Sequence, residues 1–209
     1  VGLTDQTVYT LAINPNRRKT VYAGVAEIPG TTHYGVFKST DGGRTWHAVL
    51  ANYYVHALAV HPDQRTTLYA GVRKDGVFKS TNAGSTWKAV LEDQSVYALA
   101  IDPVQPSIVY AGAGEFAAPS GGVFKSTDSG DTWLDVGLEY IHALAIDPDQ
   151  PQTLYAGAVT VPRNPGGIYK STNGGNTWTT VLEDQNVHAL AINPVEPSIV
   201  YAGMVDVPG

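Results

Sequence analysis

The stretch GVFKSTDGGRTWHAVL, residues 35–50, returns three times down the chain, as GVFKSTNAGSTW (76–87), GVFKSTDSGDTW (122–133) and GIYKSTNGGNTW (167–178). Its tryptophans Trp46, Trp87, Trp133 and Trp178 are 41, 46 and 45 residues apart. A second phrase, roughly V-H/Y-A-L-A-I-D/N-P, then a spacer and L/V-Y-A-G, occurs five times, with tyrosines Tyr22, Tyr69, Tyr110, Tyr155 and Tyr201. The chain is a repeat array, and the repeat is the unit to interpret.

Within one repeat, short apolar runs alternate with turn formers, and no window keeps a 3.6-residue apolar period for three turns. Between residues 55 and 90 the pattern predicts strands over 55–61, 67–72, 77–81 and 86–91, with turns at Pro62–Arg65, Arg73–Gly76 and Asn82–Ser85. Four antiparallel strands per 40 to 47 residues is the unit of a β-propeller blade. The expected fold is therefore all-β, with blades at about 4–50, 51–91, 92–138 and 139–182 and a half blade at 183–209. The alanine-rich first strands, apolar on both faces, suggest innermost strands sandwiched between blades, and the Tyr-Ala-Gly strand reads similarly. A helical solenoid lacks its periodicity here, and a parallel β-helix would use shorter coils.

The recurring Ser-x-Asp-x-Gly-x-x-Trp has a structural reason at each position. Its residues are Ser39, Asp41, Gly43 and Trp46, then Ser80, Asn82, Gly84 and Trp87, then Ser126, Asp128, Gly130 and Trp133, then Ser171, Asn173, Gly175 and Trp178. The Asp or Asn can accept hydrogen bonds from amides of its own turn. The glycine suits a positive φ, and the indole can fold over the hairpin and seal it against the next blade.

These motifs resemble the Asp-box, or bacterial-neuraminidase-repeat, family, which includes sialidases, sortilin-type receptors, xyloglucanase-type glycosidases and photosystem II assembly factors. The resemblance covers nearly the whole chain. It implies that the boxes lie between the third and fourth strands of each blade, away from any active site. Two boxes carry Asn, which keeps a turn bond but cannot replace a catalytic carboxylate.

Composition narrows the classes. The net charge is −6, and the thirteen Lys and Arg residues are scattered one or two per repeat, so a general nucleic-acid surface is not expected. No apolar run is long enough to span a bilayer, so no membrane insertion is expected. With no cysteine there is neither disulfide nor thiol chemistry. No cofactor is called for. Few lysines and many Thr, Asn, Gly and Tyr lean towards a secreted or periplasmic location, and Val1 in place of Met suggests an upstream segment.

The first residues, Val1-Gly2-Leu3, align with Val136-Gly137-Leu138, and the last follow a second strand. The repeats also carry a two-blade rhythm: Leu91-Glu-Asp-Gln-Ser-Val returns as Leu182-Glu-Asp-Gln-Asn-Val. A half blade leaves a strand edge open, so self-association or a partner segment completing it is expected.

A ligand would meet the loops joining strands two to three, and those joining fourth strands to the next blade, because these vary most on a repeated scaffold. They hold Tyr53, Tyr54, Arg73, Glu115, Phe116, Tyr140 and Arg163. Five equivalent rings open the first strands, Tyr9, His56, Tyr97, His142 and His188. They could stack on a sugar or fill gaps between blades. The three histidines come from different blades without a carboxylate pattern behind them, so no metal is expected.

The reading is a non-enzymatic binding or assembly scaffold that recognises a protein or a glycan through its variable face. The alternative is a glycoside hydrolase or a fragment of one, and a further alternative is an engineered or self-assembling array without a ligand. Hydrolysis needs two facing carboxylates, and Glu115 with Asp93 or Glu139 stands in no distinguishing motif. Sialidase-like chemistry, as the resemblance implies it, needs three converging arginines with a tyrosine and a glutamate. Only Arg73 and Arg163 lie on suitable loops.

Overall fold

The computed structural model describes residues 3, 6–26, 34–114, 121–162 and 164–205. Each short apolar run becomes a strand because its β-branched and aromatic residues fit a pleated sheet, and each Gly, Pro or Asx cluster ends one. There are eighteen strands among the described residues and no helix. They are β1 (Thr7–Ile13), β2 (Val21–Ala26), β3 (Gly35–Ser39), β4 (His47–Ala51), β5 (Val55–Val60), β6 (Leu68–Val72), β7 (Gly76–Ser80), β8 (Lys88–Leu91) and β9 (Val96–Ile101). Then follow β10 (Val109–Ala113), β11 (Val123–Ser126), β12 (Leu134–Asp135), β13 (Ile141–Ile146), β14 (Leu154–Ala158), β15 (Gly167–Ser171), β16 (Thr179–Glu183), β17 (Val187–Ile192) and β18 (Val200–Met204).

They form four four-stranded sheets, β1 to β4, β5 to β8, β9 to β12 and β13 to β16, with strands in chain order, and a two-stranded sheet of β17 and β18. Paired strands run antiparallel. These are the four full blades and the half blade that the repeats predict, and the strands of the second blade fall within two residues of expectation. The fourth blade strand is the variable one: β12 has two residues, and Gly137, two positions past its end, takes a φ of 94°. The chain divides into two compact units, Val1–Val96 and Tyr97–Gly209.

In each unit the core lies between blades rather than inside one. Tyr22 and Val36 of the first blade bury with Val55, Leu68 and Val72 of the second, and Leu58 and Val60 of β5 close over them. In the other unit Tyr110 and Val123 bury with Ile141 and Leu154, and Tyr155 and Ile168 bury with Val187 of the half blade. A fully buried side chain of this size contributes roughly 1.5–3 kcal/mol, so adjacent blades stabilise each other far more than isolated sheets could be stable.

One expectation is corrected here. The strand covered on both faces is the second, not the first: β6, β10 and β14 are buried at all five positions, while β5, β9 and β13 alternate between buried and half-buried. The reason is topological, since each first strand is the edge of its sheet. Where no blade covers the equivalent face within its unit, the apolar side chains stand open. Leu11 and Ile13 of β1 are 63% and 59% exposed. No helix is long and apolar enough to cross a membrane among the described residues.

Candidate functional site

The box turns consume their own polar groups. The Ser39 hydroxyl, fully buried, donates to Asp41 Oδ1 at 2.8 Å and accepts the Gly43 amide at 2.9 Å. The amides of Arg44 and Thr45 donate to the same Oδ1, both at 2.9 Å, and the Thr45 hydroxyl donates to Oδ2 at 2.6 Å. Asp128 repeats this with Ser126, Gly130, Asp131 and Thr132. At Asn82 and Asn173 the side-chain amide instead donates to the Thr86 and Thr177 hydroxyls at 2.8 Å, so the threonine hydroxyl changes from donor to acceptor and the turn survives. The Ser80 and Ser171 bonds to Gly84 and Gly175 are unchanged.

Both aspartates are held well below the ordinary carboxylate range, first by the Thr45 or Thr132 hydroxyl bond and then by the amides and the serine. A general acid needs the opposite shift. The opening motif is therefore a turn.

The tryptophan's direction differs from expectation. Trp87 Nε1 donates to the Val49 carbonyl at 2.9 Å and Trp178 Nε1 to the Val136 carbonyl at 3.0 Å, so each seals its hairpin against the preceding blade, not the next. Trp46 and Trp133 donate to their own turns, at Gly43 and Gly130. Repetition hides this polarity, because a repeat has neighbours on both sides.

Four of the five aromatic positions occupy one structural niche. The register of β1 with β2 slips between Val8 and Thr10, of β5 with β6 between Val55 and Ala57, of β13 with β14 between Ile141 and Ala143, and of β17 with β18 between Val187 and Ala189. The residue skipped each time is Tyr9, His56, His142 or His188. A β-bulge of this kind turns its extra side chain out of the ladder and is common beside binding sites.

The rings meet. Tyr9 and His56 touch edge to face with centroids 4.7 Å apart; Tyr97 stacks on His142 at 4.0 Å, and His142 meets His188 edge-on at 5.3 Å. Tyr9 is 55% exposed and His188 is also exposed, while His56, Tyr97 and His142 are half-buried. Burial, and then the Arg73 charge, push His56 down to about 4, so it is a neutral imidazole at neutral pH. Arg73 itself is exposed. Beside this corner Tyr54 stacks on Tyr34, with centroids 5.0 Å apart and planes 15° from parallel.

The remaining loop candidates divide. Tyr53 leans on Phe78 with centroids 4.6 Å apart and is a half-buried ring packed against the core cluster of the first two blades. Tyr140 is only 9% exposed, with its ring among Val159 and Val161, so it too is a packing residue. Glu115, Phe116 and Arg163 lie outside the described residues, so the carboxylate pairs that include Glu115 have no geometry here. The acidic triplets have a backbone role: Asp93 and Asp184 take φ of 58° and 57°, where Asn52 takes 68°, and Asx residues tolerate this conformation best. No group of three or more His, Asp or Glu side chains able to hold a metal ion occurs among the described residues.

No family model and no curated protein sequence matches the chain. By structure it is similar to the GH74 xyloglucanase from Xanthomonas campestris, with a TM-score of 0.76, 19% identity, and coverage of 92% of this chain and 34% of that one. An ancestral GH74 enzyme superposes with a TM-score of 0.71 at 19% identity over 91% of this chain and 28% of that one. The Niastella koreensis GH74 enzyme does so at 0.61 and 18% over 93% and 43%. The chain thus spans well under half the length of these β-propeller enzymes, and at such identities what the likeness establishes is the fold, an array of β-propeller blades.

Proposed function

We propose that the chain is the glycan-binding part of a carbohydrate-active propeller, a portion of a glycoside hydrolase acting on a neutral polysaccharide such as xyloglucan, and that its boxes mark it as an Asp-box repeat protein. The observation that carries this reading is the contact between rings that open first strands, Tyr9 with His56 in one unit and Tyr97 with His142 and His188 in the other. Contacting rings offer sugars an apolar platform, and imidazole nitrogens are hydrogen-bonding groups of the kind that suits hydroxyls. The likeness to xyloglucanases supports the substrate class. The reading assigns binding to these rings and leaves Asp41 and Asp128 to their turns.

The test is calorimetric titration of the folded chain with xyloglucan oligosaccharides, with Tyr9→Ala and His188→Ala beside it. Saturable binding weakened about tenfold by either variant, a loss of about 1.4 kcal/mol, is the expected result. A folded chain that binds no neutral glycan, or binds equally well without these rings, would sink it.

A second reading, a scaffold that associates through its own faces, is supported by the apolar side chains left open on β1 and β18, where Leu11, Ile13, Tyr201 and Met204 are 63%, 59%, 59% and 49% exposed. Sedimentation over a wide concentration range distinguishes it: a mass that never rises above the monomer argues against it.

A further inference from the structure

Each box turn is tied to its own blade, and two of the four are held by a neighbouring blade as well. The amide just before the box glycine donates to a carbonyl of its own blade, three residues ahead of the Tyr-Ala-Gly tyrosine. The pairs are Gly42 to Lys19 (2.9 Å), Ala83 to Thr66 (2.7 Å), Ser129 to Ser107 (2.8 Å) and Gly174 to Gln152 (2.9 Å). In the second and fourth blades the carbonyl of that same turn residue is gripped by the preceding blade. Tyr22 Oη and Lys38 Nζ donate to the Ala83 carbonyl at 3.4 and 2.9 Å, and Tyr110 Oη and Lys125 Nζ donate to the Gly174 carbonyl at 3.1 and 2.8 Å. Burial raises both phenols, Tyr110 to about 12, which keeps them donors. The lysines lie over the tyrosine rings, 5.7 and 5.6 Å from the centroids.

The fourth blade carries the same pair of side chains, and no turn carbonyl of the described residues meets it. Lys170 Nζ lies 5.3 Å over the Tyr155 ring, but where a turn carbonyl should sit there is a cavity of about 330 Å³. Tyr155 and Lys170 line one side and Ser198 lines another. Ser198 stands three residues before Tyr201, so its carbonyl is the counterpart of those of Lys19, Thr66, Ser107 and Gln152. The fixture for the indole is also in place. Val49 and Val136, whose carbonyls accept Trp87 and Trp178, correspond to Val181, which is 57% exposed.

We propose that this cavity is the seat of a fifth box turn, carried on a β-hairpin that pairs with the outer edge of β18. The occupant follows from register. In complete blades the gripping lysine lies directly opposite the tyrosine of the second strand, as Lys170 does opposite Tyr155, so a turn can reach the Ser198 carbonyl only from a strand running beside Tyr201. β18 pairs only with β17 among the described residues, and Tyr201 is 59% exposed where Tyr155 is 8% exposed. The hairpin therefore reads Phe/Tyr-Lys-Ser-Thr-Asp/Asn-x-Gly-x-x-Trp.

The experiment extends the chain past Gly209 with a copy of residues 164–183, since Pro208 corresponds to Pro162. Amine acylation read by mass spectrometry should find Lys170 reactive in the original chain and protected in the extended one, while Lys38 and Lys125 are protected in both. Thermal melting should rise on extension, and Lys170→Met, silent in the original chain, should then lower Tm as Lys125→Met does in either. Lys170 staying reactive in the extended protein, or a Tm gain indifferent to Lys170→Met, overturns the proposal. So does Lys170 already protected in the original chain in a concentration-dependent way, which would place another copy in the cavity. An added hairpin whose amides exchange freely while the rest stays protected overturns it as well.

Discussion

The box turns and the bulge row are both repeated, yet they repeat different things. In the turns, geometry and chemistry return together, and even the exchange of Asp41 and Asp128 for Asn82 and Asn173 is absorbed by reversing one threonine hydroxyl. In the bulge row only the backbone returns. The ring is Tyr9, His56, His142 and His188 in turn, and its exposure runs from half-buried to open. Uniformity marks what the fold needs, and variation on a uniform frame marks where recognition can be adjusted.

This contrast breaks most visibly at Trp87. Trp87→Ala removes a ring wedged against the first blade and the bond to the Val49 carbonyl, and should cost about 3 kcal/mol in urea unfolding. Trp46→Ala should cost less, because its N–H serves only its own turn. Ser80→Ala leaves the buried Gly84 amide without its acceptor and should cost about 1–2 kcal/mol by the same measurement.

The bulge row should respond to pH instead. Folded His56 stays neutral down to about 4 while the unfolded residue takes its proton near 6.5. Between these values the unfolded state binds more protons, so stability falls as pH drops through that window. His56→Gln should flatten that part of a Tm-against-pH curve, and an unchanged slope would show that another group causes it.

The smallest effect sharpens the contrast furthest. Asp41→Asn with Asp128→Asn should leave Tm and glycan binding unchanged at neutral pH. Because both carboxyl groups are held below their ordinary range, their contribution is present above the unfolded value of 3.8 and is lost as pH falls below it. The double variant should accordingly show a shallower acid limb. Lost binding without lost stability would return the turns to the list of functional sites.

Strand positions were legible because alternation, Tyr-Ala-Gly and the box each recur at one offset, so β5 to β8 could be placed from residues 55–91 alone. The bulges were not, since Tyr9 and His56 carry neither the glycine nor the proline that usually announces one, and a slipped register shows only when both strands are seen. The aromatic positions were noticed by equivalence, and their mutual contact came from the fold. Tyr53 and Tyr140 misled for the converse reason: a tyrosine in a variable loop looks the same whether its ring faces out or lies on Phe78 or Val159.

The close approach of blades also bears on how such a chain can change length. A Cβ on Gly24, Gly112 or Gly157 would stand 2.7, 2.7 and 2.6 Å from the branched side chain of Val55, Ile141 or Val187, which opens the following repeat. Socket and plug are thus written into every repeat, the socket facing forward and the plug facing back. A duplication or deletion in steps of one repeat therefore keeps this contact at the new junction. Blade number is then a quantity that inheritance can alter while this one junction is kept.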